Sequence, residues 1–249
     1  MTVHFVGAGP GAADLLTLRA ASLLAAADVV LYPGTYLDAE ILSHCTDARQ
    51  VDTQRLDLDQ ITSVMVSASA EGLEVVRLTS GDPSLYSALA EQTARLDTAG
   101  VAWDVCPGVP AYAAAAASVG RELTVPLVTQ SVVLTRTQAR STAMPSTESL
   151  AAFAATRATL VLHLAITKTR ELAGSLVEEY GAGCPAVVVH RASQPDELIL
   201  RGTLADIADQ VEEAGLKQAA VILVGWALAR EGAESWLYQP DRPRPSVEP

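Results

Sequence analysis

Three times in the first half of this sequence a short apolar run breaks at once into a turn of glycine and proline. The runs 3–6, 74–79 and 102–105 lead into Gly7-Ala8-Gly9-Pro10-Gly11, Ser80-Gly81-Asp82-Pro83 and Pro107-Gly108-Val109-Pro110-Ala111. Runs bounded in this way read as buried strands, and 29–32 has the same character. Helices are expected at 15–27, 57–70, 84–98 and 110–119. In the second, Leu58, Ile61, Met65 and Ala68 share one face; in the third, Asp82 and Pro83 stand as N-cap and first helical residue. Such alternation implies an α/β fold with a mainly parallel sheet covered on both faces. Ligands of such sheets gather at the carboxyl ends of the strands, where all three turns would lie.

The first turn limits what that ligand could be. Glycine has no Cβ and reaches positive φ without strain, so bare backbone can approach a bulky group. The dinucleotide fingerprint Gly-x-Gly-x-x-Gly would need a glycine in place of Ala12, and Pro10 removes a backbone donor from the cradle. A ligand turn of another kind and a plain strand-to-helix turn both fit these residues.

Beyond Pro126 the pattern changes. Strands are expected at 131–135, 159–164, 186–190, 197–201 and 220–225. Helices are expected near 147–155, 167–180 and 203–214, the last capped by Thr203. The turn formers from Ala192 to Asp196 make a hairpin of 186–190 and 197–201, so the second sheet is mixed. The expected organisation is an N-terminal α/β domain over 1–128, a C-terminal α/β domain over 129–239 and a flexible tail over 240–249.

A net charge of −12 and an aromatic share of 4% exclude general attraction to nucleic acid or anionic membranes and leave no stacking platform for bases. No basic leader precedes the first strand, and no apolar run approaches the roughly 20 residues of a membrane span, so a cytoplasmic protein is expected. Cys45, Cys106 and Cys184 lack paired spacing and the histidines lack ligand spacing, which predicts neither a disulfide framework nor a metal. The charge is uneven. Residues 1–128 carry 6 basic and 15 acidic side chains, whereas 129–171 carry 5 basic and 2 acidic. Arg136, Arg140, Arg157, Lys168 and Arg170 form that basic tract, either a solvated face or a site for an anionic ligand.

Taken together, these pieces resemble the tetrapyrrole methyltransferases of the cobalamin pathway. The broad family is marked by Val6–Gly11 with Asp14-Leu15-Leu16-Thr17, by Ala27-Asp28-Val29-Val30-Leu31-Tyr32, by Arg77–Pro83 and by Pro107-Gly108-Val109. The branch acting at C-11 of precorrin-4 is matched by Glu122-Leu123-Thr124-Val125-Pro126, by Gln130–Arg136 and by Lys217–Leu228. The resemblance implies a two-domain homodimer with its active-site cleft between the domains, using S-adenosylmethionine to methylate C-11 of precorrin-4 or its cobalt complex. Carried over by position, the cofactor contacts would be Gly9, Pro10, Ser80, Gly81, Asp82, Leu85, Pro110, Ala111, Leu164, Ala192 and Ala220. Pro110 stands where relatives usually carry Thr or Ser, and Leu164 where Met is common. Sister enzymes methylating C-17, C-20 or uroporphyrinogen III share the broad pattern.

The chemistry implied needs little from side chains. A sulfonium methyl is already activated, so alignment and exclusion of water carry the reaction. No Ser/His/Asp set or paired-carboxylate motif is present, in keeping with this. The acetate and propionate groups of the tetrapyrrole call for cations, and Arg136, Arg140 and Lys168 are the candidate clamp. Asp82, Tyr86 and Tyr112 are candidate catalytic groups, Asp82 reading equally as a helix cap and the tyrosines as core. His163 reads as a core histidine at a strand end, and Arg77 as the partner of an acid across the sheet.

Overall fold

The computed structural model describes residues 1–34, 37, 39–137, 143–229, 232, 235–238 and 242. The chain divides into two compact units, one of residues 1–118 with 191–197, the other of 119–190 with 198–249. Among the described residues no helix is long and apolar enough to cross a membrane.

The first unit is built on five parallel strands: β1 (Thr2–Gly7), β2 (Val29–Tyr32), β3 (Arg49–Asp52), β4 (Val75–Thr79) and β5 (Ala102–Cys106). They lie in the order β3-β2-β4-β1-β5. Alternation along β1 divides the core. Val3 and Phe5 pack with Val29, Leu31 and Val75 against Ile61, Met65 and Ala68 of helix α3 (Leu58–Ala70) and Leu96 of α4 (Leu89–Thr98). Val6 faces the other way with Val30, Val76 and Leu78, against Ala20 and Leu24 of α1 (Leu18–Ala26) and Ile41 of the short α2 (Ala39–Leu42). Phe5 is fully buried, and truncating it to alanine would cost about 3–5 kcal/mol. Helix starts follow local chemistry. Thr17 Oγ1 accepts from Ala20 N at 3.1 Å, and Asp57 with Gln60 forms a reciprocal capping box ahead of α3.

The second unit holds β6 (Val132–Arg136), β7 (Thr159–His163), β8 (Pro185–His190), β9 (Leu198–Thr203) and β10 (Ala220–Val224), in the order β6-β7-β10-β8-β9. Strands β6 and β7 pair in parallel and the other neighbours antiparallel, so the sheet is mixed. The β8–β9 hairpin runs in register from Pro185↔Thr203 to His190↔Leu198. Leu160, Leu162, Val188 and Ile222 pack beneath α7 (Thr169–Tyr180) and α8 (Ile207–Glu213). Helices α5 (Ala111–Val119) and α6 (Leu150–Ala154) complete the set.

Two local expectations fail, and one strand lies outside those expected. The third helix begins at Leu89, not 84, because Tyr86 and Ala88 hold φ of +54° and break any helical run. Asp82 therefore caps no helix. Thr203 ends β9 and donates its N–H and hydroxyl to Asp206 Oδ1, in a turn that delays α8 to Ile207. Strand β3, Arg49-Gln50-Val51-Asp52, has no apolar run to betray it; as an exposed edge it draws its order from backbone pairing with β2.

Candidate functional site

Strand β1 lies between β4 and β5, so the turns following these three strands sit side by side at one end of the first sheet. Backbone bonds join them. Ala8 N donates to Thr79 O at 2.8 Å, and Gly9 and Gly81 exchange N–H···O bonds of 3.1 and 2.7 Å. The turns touch at their glycines. A Cβ on Gly7 would fall 2.5 Å from Gly108 N, and one on Gly108 would fall 2.3 Å from Gly81 O. Close approach is thus the role of Gly7 and Gly108, whereas Gly9 and Gly81 are required by φ of +76° and +69°. The sequence left the first turn open between a ligand turn and a plain strand-to-helix turn; within it Gly7 packs on the backbone of the neighbouring turns.

Asp82 locks the same junction. One carboxylate oxygen accepts from Gly108 N at 2.9 Å, and the other from Ser84 N at 2.8 Å and from Ser84 Oγ. Partial burial opposes its ionisation, but these donors outweigh that and hold the carboxyl below its ordinary value. Ser80 is exposed, Leu85, Pro110, Ala111 and Tyr112 are half-buried, and Tyr86 is 47% exposed. Pro10 is buried, and its carbonyl accepts from Gln194 Nε2 at 3.3 Å. The segment 191–197 closes over the first turn, with Ser193 Oγ accepting from Ala12 N at 3.1 Å and Ala192 buried. Glu197 anchors that segment by accepting from Ser193 N and Ser118 Oγ.

Several of the residues singled out adjoin strained backbone. Left-handed φ at residues with a Cβ occurs at Tyr86, beside Leu85; at Arg191 and Ser193, on either side of Ala192; at Ala219, before Ala220; and at Leu164 itself. Non-glycine residues in this region are uncommon and collect where a ligand or a switch demands a fixed shape. Sequence propensity carries no signal for this. In the second unit, Leu164 follows β7 and is exposed, and Ala220 opens β10, half-buried. Burial pushes the His163 imidazole down, toward the neutral form.

The basic tract is mostly committed to nearby acids. Arg170 bonds Asp209 and Glu212 of α8, Lys168 pairs with Glu171 at 2.8 Å, and Arg157 stands 3.8 Å from Glu179. Arg136 is half-buried at the end of β6, and Arg140 lies outside the described residues. Among the described residues Arg77 meets no acid across the sheet. Its Nε donates to Gln92 Oε1 and its Nη1 to Thr53 Oγ1 and the Leu78 carbonyl, all neutral, and burial lowers its pKa to about 10.

Comparison with known proteins accounts for the arrangement. The model of the Tetrapyrrole (Corrin/Porphyrin) Methylases matches residues 2–208. The precorrin-4 C(11)-methyltransferase of Rhodococcus erythropolis is 54% identical over 98% of this chain and 99% of its own. The crystal structure of a cobalamin biosynthetic enzyme, cobalt precorrin-4 methyltransferase, superposes with a TM-score of 0.89 at 36% identity, covering 92% of this chain and 96% of that one. The uroporphyrin-III C-methyltransferase of Thermus thermophilus, solved with S-adenosyl homocysteine, gives a TM-score of 0.77 at 28% identity over 92% and 93%. A family model spanning most of the sequence and a relative matched end to end place this chain among the tetrapyrrole methylases.

Proposed function

We propose that this chain transfers a methyl group from S-adenosylmethionine to C-11 of precorrin-4, giving precorrin-5 and S-adenosylhomocysteine. The observation that carries the reading is the 54% identity, over nearly both whole chains, to a relative named for that reaction. The lower identity of 36% to the enzyme named for the cobalt complex favours the metal-free substrate.

The first unit fits the cofactor. Three turns meet with no room for a side chain at Gly7 or Gly108, leaving a wall made largely of backbone, with Ser80 exposed and the Asp82 carboxylate fixed beside it. Gly9, Pro10, Ser80, Gly81, Asp82, Leu85, Pro110, Ala111 and Ala192 are the proposed contacts. S-adenosylmethionine supplies a methyl group already activated by its sulfonium. The residues of the chain bind, orient and keep water away, and good alignment alone supplies several kcal/mol of a barrier, on the order of 7–11 at most. Asp82 acts by shape, because a carboxylate already accepting three hydrogen bonds is a poor proton acceptor. Tyr86 is the candidate to face the substrate, and Arg136 the candidate to hold a peripheral carboxylate. The same reading takes the enzyme as a cytoplasmic homodimer; light scattering checks the dimer, and cell fractionation the location.

Methyl-labelled S-adenosylmethionine and precorrin-4 test the reading. One labelled methyl should appear in the product by mass spectrometry and map to C-11 by NMR. Label at C-17 or C-20, or label only on uroporphyrinogen III, would assign the chain to a sister activity.

A further inference from the structure

The segment after Asp82 is held in an unfavourable shape, and one buried amide does much of the holding. Tyr86 and Ala88 both lie at φ +54°, which residues with a Cβ keep only when their surroundings over-determine it. Gln92, in the first turn of α4 and 1% exposed, donates from Nε2 to the carbonyls of Ser87 and Ala88, each at 3.1 Å. Its Oε1 accepts from Arg77 Nε at 3.1 Å. Arg77 is itself buried and fixed by Thr53 and Leu78, with no carboxylate partner among the described residues. A second bond, from Ser87 Oγ to the Pro83 carbonyl, ties the segment to its own start.

Donor and acceptor chemistry explains why an amide stands there. A guanidinium only donates and a peptide carbonyl only accepts, so the side chain between them must do both. Glutamate would give Arg77 the counter-ion it lacks, yet would aim an acceptor at two other acceptors. Among the described residues the chain keeps a buried guanidinium without a carboxylate and a glutamine that serves both sides, where a glutamate would serve Arg77 alone.

We propose that Gln92, oriented by Arg77, is a positioning residue that clamps the strained Tyr86–Ala88 turn and so sets the ligand-facing shape of Ser80 to Leu85. This rests on the reading above, which puts S-adenosylmethionine on that segment. Thr53, whose Oγ1 donates to the Tyr32 carbonyl at 2.9 Å while accepting from Arg77, extends the clamp to the end of β2.

Gln92→Glu separates positioning from stability. The new carboxylate pairs with Arg77 but faces the two carbonyls, so the gain and the loss offset and Tm should change little, while loss of both donors should speed hydrogen exchange at the amides of 84–88. The KM for S-adenosylmethionine should rise about tenfold with kcat changed less than about threefold. Adding Ala88→Gly removes the left-handed penalty and should bring KM back to within about threefold of wild type. Unchanged KM with unchanged exchange overturns the clamp. Unchanged KM with faster exchange leaves the clamp standing and overturns the placement of the ligand on this segment. If Gln92→Glu does not fold, the double variant is read alone: a folded protein with near-wild-type KM supports the proposal, and an unfolded one, or one with KM still raised about tenfold, overturns it.

Discussion

Asp82, in the turn after β4, accepts a hydrogen bond of 2.9 Å from the backbone N–H of Gly108, in the turn after β5, and so spans the end of the strand between them. Its other oxygen takes the N–H and hydroxyl of Ser84. Asparagine in its place would keep the shape but turn an N–H₂ toward one of these donors.

Asp82→Asn should therefore destabilise the protein by about 1–3 kcal/mol at neutral pH, the usual cost of losing hydrogen bonds to a charged group. The pH dependence has a definite sign. The folded-state pKa is depressed, so the stabilisation is complete above the unfolded value near about pH 4 and is lost as pH falls through the folded one. Thermal unfolding of both proteins from about pH 7 to about pH 3 should show their Tm values converging at the acid end. A constant gap would mean that the charge of Asp82 contributes nothing.

Gly108→Ala tests the meeting of the three turns. Its Cβ would lie 2.3 Å from Gly81 O and 2.8 Å from Gly7 Cα, backbone atoms that cannot rotate away. The expected cost is about 1–3 kcal/mol of stability, as for other overpacked sites. Calorimetric titration with S-adenosylhomocysteine should show affinity falling at least about tenfold in the folded variant. Gly100→Ala is the control: nothing crowds its Cβ but its φ is +67°, so it should lose some stability and no affinity.

Much of this was readable in the residues, and the failures share a cause. The hairpin about 191–197 and the helix expected over 57–70 rest on local pattern, and they form where that pattern puts them, the helix running over Leu58–Ala70 behind its cap Asp57. Asp82-Pro83 carries an equally good local signal for a helix start, yet the helix waits until Leu89. The reason is tertiary: Arg77 of β4 orients Gln92 onto the Ser87 and Ala88 carbonyls, and Asp82 also accepts from Gly108 in the turn after β5. The glycine turns themselves were visible, but which glycine serves contact and which serves φ depends on strand order. The basic tract was visible as charge alone, because Arg170 meets its acids on α8, far along the chain.

Tyr180→Phe probes the second core. The hydroxyl, in a residue 4% exposed, donates to the Ala158 carbonyl at 2.5 Å, and burial first, with help from nearby Cys184 and Glu179, pushes its pKa up to about 12. Phenylalanine fills the same volume but leaves a buried carbonyl without its donor. Chemical denaturation should show a loss of about 1–3 kcal/mol with an unchanged slope. Neither KM should move, since Tyr180 belongs to the packing of α7.

Arg136 and Arg170 separate a ligand cation from a structural one. Arg170 is exposed and held by Asp209 and Glu212, whose carboxylates raise its pKa still further, and Arg170→Ala should cause a small loss of stability that salt screens. Its kinetics should match wild type. Arg136 ends β6, at the carboxyl end of its parallel pairing with β7. If it holds a peripheral carboxylate, Arg136→Ala should raise the tetrapyrrole KM about tenfold and shift the KM for S-adenosylmethionine less than about threefold. Arg136→Lys should recover only part of the loss, because an ammonium cannot reproduce the two-pronged contact. Steady-state kinetics with each substrate varied in turn decides it, and an equal rise in both constants would make Arg136 a structural residue.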